Sequence, residues 1–141
     1  MIVLDTNVLV RLVTKDDIEQ ATAAFALLRR GGPFWIGSTA LLELGWVLGS
    51  KRYGYARADV SRALKVVANL ADAHVEDLAR VRDAMTLYDE GHDLGDAFIL
   101  AFSPSGATVA TFDDGFVARS PIASGTGRTV RRVADLVSAP R

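Results

Sequence analysis

The chain has 141 residues, half of them hydrophobic, which suits a single domain over residues 1–141 with a core large enough to need no covalent staples. It contains no cysteine, which excludes disulfides, thiolate zinc sites and cysteine nucleophiles, so a metal would be held by oxygen or by the two histidines. A formal net charge of −1 provides no overall basic surface for nucleic acid, and no apolar run approaches the length of a membrane span.

The predicted elements alternate between strand-length apolar runs and longer helical periodicities, the pattern of βαβ units around a parallel sheet. Ile2 to Leu4 reads as the first strand. Asp16, with Glu19 three residues on, forms a capping box for a helix through Ala21, Ala24, Phe25 and Leu28, stopped by Gly31-Gly32-Pro33. Phe34 to Gly37 is the second strand, and Ser38 caps the helix that carries Glu43 and Trp46. Asp59 opens a helix over Leu64, Val67 and Leu70; a short strand follows at Ala73 to Val75. Glu76 or Asp77 starts a helix over Val81, Met85 and Tyr88 that ends at Gly91, and Asp93 begins the next, through Phe98 and Leu100. Ala107 to Phe112 is the fourth strand; Thr129 to Val130 adds a small fifth before a last turn at Val133 to Val137. Between them Ser120 to Gly127, rich in Ser, Gly and Thr, reads as a mobile loop.

Four acids recur at one structural address. Asp5 closes the first strand, Glu43 and Asp96 lie in the opening turns of their helices, and Asp113 with Asp114 follows the fourth strand. In an open parallel sheet such strand-to-helix turns share one edge, where these folds place their ligands, so the acids are expected to converge. Each also sits among apolar neighbours: Glu43 has Ala40, Trp46 and Val47 one turn away, which reads as a stripe facing the sheet, and both tryptophans read as core. Two carboxylates about 4 Å apart repel by roughly 4 kcal/mol at an effective dielectric near 20, a conflict that a divalent cation removes. All-oxygen ligation suits Mg²⁺ or Mn²⁺, which share coordination with substrate phosphate, so the constellation points to metal-dependent phosphodiester hydrolysis.

The same residues resemble the PIN domain, most closely the single-domain toxins of the VapBC toxin–antitoxin type. The resemblance rests on Ile2-Val3-Leu4-Asp5-Thr6-Asn7-Val8-Leu9, on Glu43 followed by Trp46-Val47-Leu48, on Asp93-Leu94-Gly95-Asp96-Ala97, and on Thr111-Phe112-Asp113 with Phe116. It implies a three-layer α/β/α sandwich around a mostly parallel sheet of four to five strands. It also implies a Mg²⁺-dependent endoribonuclease acting on tRNA or ribosomal RNA, a homodimer, and a cognate antitoxin partner. By position, Asp5, Glu43 and Asp96 match the family's acidic triad and Asp113 its fourth acid, with Asp114 as the alternative; Thr6 and Asn7 match residues that shape the metal pocket. Gly95 stands where such proteins often carry Ala.

Blander readings stand beside these. Asp93 reads as a helix cap rather than a ligand, Asp113-Asp114-Gly115 doubles as a turn, and His92 reads as polar loop surface. Arg119 and Arg128 are the candidates for RNA phosphate, while Lys51 and Arg52 suit a helix C-terminus whatever they bind. An aspartyl phosphotransferase using Asp5 is a rival, although Asn7 occupies the place where that chemistry wants a second acid; a non-catalytic acidic binding module is another. Met1 leads into the first strand without a basic leader, so the expected location is the cytoplasm, with no membrane partner.

Overall fold

The computed structural model describes residues 1–120 and 127–140; the stretch expected as a mobile loop falls largely outside them. The chain runs β1 (Ile2–Val3), α1 (Thr6–Thr14), α2 (Ile18–Arg30), β2 (Phe34–Ile36), α3 (Ser38–Gly49), α4 (Arg57–Ala68) and β3 (Ala73–Val75). It continues with α5 (Leu78–Asp89), α6 (Leu94–Phe102), β4 (Thr108–Thr111), α7 (Asp114–Arg119), β5 (Thr129–Arg132) and α8 (Val133–Ser138). The architecture is the expected α/β/α sandwich of three layers, and every strand pairing in it is parallel.

Hydrogen bonding divides the strands into two ladders, β1-β2-β3 and β4-β5, instead of one continuous sheet. In β1 the Ile2 and Leu4 amides donate to the carbonyls of Pro33 and Trp35, and the chain then turns into α1. That helix, over residues to which the periodicity assigns no element, has Asp5 as its N-cap, the carboxylate accepting from the Thr6 amide at 2.8 Å.

Several caps differ from those expected. Asp17, not Asp16, caps α2, accepting from the Gln20 amide at 2.9 Å. Asp16 instead receives the Tyr53 and Thr14 hydroxyls and pairs with Arg11 at 3.0 Å, and these partners, Tyr53 foremost, hold its carboxyl at about 2. Ser38 is the first residue of α3 rather than its cap; Gly37 precedes it and offers no side chain. Glu76 caps from across the sheet edge, accepting from the Ser38 amide at 2.8 Å and its hydroxyl at 2.9 Å, bonds that lower its pKa. Asp59 lies inside the first turn of α4, which begins at Arg57, and α5 starts after Asp77 without a side-chain cap bond. Asp93 caps α6 as expected.

The core is filled by Leu4, Leu9, Phe34, Ile36, Leu41, Leu44, Leu48, Leu64 and Leu100, all essentially inaccessible. On α3 the buried residues Leu41, Leu44, Gly45 and Leu48 repeat at three- and four-residue spacing and so form one stripe. Gly45 lies at the tightest point: a Cβ added there would sit 2.2 Å from Leu94 Cδ2 and 3.3 Å from Leu64 Cδ1. The missing side chain therefore lets the start of α6 pack directly on the backbone of α3. Gly45→Ala is expected to cost about 1–3 kcal/mol of stability by overpacking. Urea unfolding measures it, and an unchanged midpoint would show that the contact relaxes freely.

Candidate active site

The packing of α3 on α6 places the turn of Glu43 and Trp46 beside the turn of Asp96. Leu94 meets Gly45, and a Cβ added to Gly95 would lie 3.3 Å from Trp46 Cζ2. Glu43 is held from a third element, because the buried Thr6 at the start of α1 donates its hydroxyl to Glu43 Oε2 at 2.7 Å. Asp5, Thr6 and Glu43 thus form one connected group.

A second group surrounds Asp96. Burial, followed by the charges of Asp93 and Asp113, pushes its carboxyl above the ordinary value, and His92 and Arg119 offset part of this. Asp93 Oδ1 accepts from the Gly95 amide at 2.9 Å and, more weakly, from the Asp96 amide at 3.4 Å. Asp113 Oδ1 caps α7, accepting from Gly115 at 2.8 Å and Phe116 at 3.2 Å. Asp114, the alternative fourth acid, is exposed and ion-paired with Arg132. Asp113 is among the charges that raise the Asp96 carboxyl.

The burial expected for the acids is corrected for three of them. Asp5, Glu43 and Asp113 are exposed, and only Asp96 is half-buried. Glu43 does not face the sheet: the Leu41-Leu44-Gly45-Leu48 stripe does, which leaves Thr39, Glu43 and Trp46 on the opposite, exposed side. Trp46 is accordingly 54% exposed rather than core. His92 departs in the other direction. It is buried, with its ring edge-on to Phe116 at 6.4 Å, its carbonyl accepting from Arg57 and its Nδ1 without a hydrogen-bond partner among the described residues.

The supporting candidates separate as clearly. Thr6 is engaged with Glu43, whereas Asn7 is exposed and borders a cavity of about 300 Å³ with Arg11, Gln20 and Leu27 between α1 and α2. The Arg119 guanidinium folds back along α7, where a Cβ on Gly115 would meet it at 3.3 Å, and its charge is felt at Asp96. Arg128 ties the start of β5 to the end of α6, its Nε donating to the Ser103 carbonyl at 2.7 Å. Glu76, expected at the start of α5, is a further edge acid and serves α3 instead. It directly follows β3 as Asp5 follows the first strand, a signal available in the sequence.

The donor set is all oxygen and rich in carboxylate, which fits a hard divalent cation in kind. As they stand, the side chains form two groups, and among the described residues no three Asp, Glu or His side chains close into a cluster able to hold a metal ion. A raised carboxyl pKa means that ionised Asp96 destabilises the fold. That cost is absent at pH below the ordinary carboxylate range, near 4, and grows as pH rises through the raised value. Asp96→Asn is therefore expected to raise the metal-free melting temperature by a few degrees at neutral pH, with the gain vanishing in acid. A gain that persists at low pH would show that charge is not its cause.

The PIN domain family model matches residues 2–120. No curated protein and no solved structure gives a significant match. With most of its length covered by that match, the chain belongs to the PIN domain family. PIN domains are typically nucleases that bind RNA and generally use divalent metals such as Mg²⁺.

Proposed function

We propose, starting from membership of the PIN domain family, that this protein is a Mg²⁺- or Mn²⁺-dependent endoribonuclease whose site is Asp5, Glu43, Asp96 and Asp113. The observation that carries the reading is Asp96: a half-buried carboxyl held in the field of Asp93 and Asp113 is unfavourable for the fold and suited to receiving a cation. A divalent ion held by Asp5, Asp96 and Asp113, with Glu43 directly or through water, would supply Lewis acidity for phosphodiester hydrolysis.

The chain's own residues then have separable tasks. The Thr6 hydroxyl orients Glu43, and the caps that Asp5 and Asp113 make at α1 and α7 fix the direction of both carboxylates. Asp114, paired with Arg132, steadies the start of α7. Arg119, beside the acids, offers positive charge to the phosphodiester that an acidic site must still admit. Arg128, whose Nε donates to the Ser103 carbonyl, is the second candidate for that phosphate contact.

Within the same reading, the protein is the toxin of a toxin–antitoxin pair in the cytoplasm. It acts as a homodimer on tRNA or ribosomal RNA and is silenced by a cognate antitoxin. The likeness of the Asp5, Glu43, Asp96 and Asp113 segments to the VapBC-type toxins supports this. Among the described residues no helix is long and apolar enough to cross a membrane.

Purified protein incubated with cellular RNA is expected to cut it in the presence of Mg²⁺ or Mn²⁺ and not in chelator. Asp5→Asn should remove at least about 99% of that activity with folding intact by circular dichroism. Protein that binds a partner tightly yet cuts no RNA with either ion would instead make this an acidic binding module.

A further inference from the structure

We infer that Trp46 is a nucleobase platform, stacking an unpaired base of the RNA beside the bond that is cut; this rests on the nuclease reading. Tryptophan combines a large apolar face with one polar atom and is normally well buried. Here it is 54% exposed, on the face of α3 that otherwise carries Thr39 and Glu43. It follows Glu43 by three residues, so the two side chains are neighbours on that face. Its ring edge rests on Gly95, the residue before Asp96, where an added Cβ would lie 3.3 Å from Cζ2.

Glycine at position 95 thus seats the indole against the first turn of α6. Ile99, one turn after Gly95 and Asp96 and 51% exposed, adds apolar surface on the same helix. Trp46 therefore stands between Glu43 on its own helix and Gly95, the chain neighbour of Asp96, whose carboxyl feels the cation of Arg119. Phosphate contact together with base–aromatic stacking is how proteins hold single-stranded RNA, whereas a duplex keeps its bases stacked inside.

The test compares wild type, Trp46→Ala and Trp46→Phe on a short single-stranded RNA carrying one abasic site, moved along it in a series. Affinity is read by fluorescence anisotropy, cleavage by KM and kcat, and oligomeric state by size exclusion. Trp46→Ala should weaken binding and raise KM about tenfold, and Trp46→Phe should retain most of the affinity. One abasic position should weaken wild-type binding by a similar factor and leave Trp46→Ala unaffected. Equal affinity of wild type and Trp46→Ala, or equal sensitivity of both to every abasic position, overturns the platform. So does a change of oligomeric state in Trp46→Ala with RNA affinity intact, which would assign the surface to a second copy of the chain. RNA bound with the abasic cycle intact but never cut would overturn the nuclease reading while the platform stands.

Discussion

Leu94 presses against α3 where Gly45 has no side chain, and through that contact the first turn of α6 is set beside the second turn of α3. Parallel strand ends bring loops to one edge only approximately; this helix-on-helix contact fixes which side chains meet there. Trp46 and Gly95 owe their contact to it. The consequence for Asp96 is electrostatic. It lies half-buried with Asp93 and Asp113 for company, and its ionised form is held at a disadvantage that His92 and Arg119 only partly relieve.

The other edge carboxylates have structural work. Asp5 starts α1, Asp93 starts α6, Asp113 starts α7 and Glu76 starts α3. In Asp5, Asp93 and Asp113 it is Oδ1 that accepts the amide protons of the cap. Capping therefore orients a carboxylate and still leaves it an oxygen outside the cap, so a cap and a ligand are compatible roles. Asp113 illustrates the point, since it caps α7 and acts electrostatically on Asp96 at the same time.

Much of this was legible in the residues. Apolar runs at Phe34 and Ala73 and the acid-capped start at Asp93 were readable because strand length and N-cap chemistry are local properties. The four acids at strand-to-helix turns followed from the same local logic. Their burial did not, because an apolar neighbour one helical turn away does not reveal which stripe faces inward. On α3 nearly every residue is apolar, and only the packing of Gly45 against Leu94 decides that Glu43 and Trp46 face out. The α2 cap missed by one residue for a similar reason: Asp16 and Asp17 are equivalent in sequence, and the distant Tyr53 claims Asp16. Glu76 was misassigned because its partner, Ser38, is remote in the chain.

If the carboxylates at this edge form a cation pocket, the charge conflict at Asp96 is the quantity that a metal must change. The most direct measurement is the thermal stability of wild type and Asp96→Asn with and without millimolar Mg²⁺. Binding to the folded state alone raises stability by mass action, so Mg²⁺ should stabilise the wild type and leave the variant nearly unmoved, narrowing or reversing the advantage the variant holds without metal. Equal Mg²⁺ responses in the two proteins, or none in either, would contradict the account.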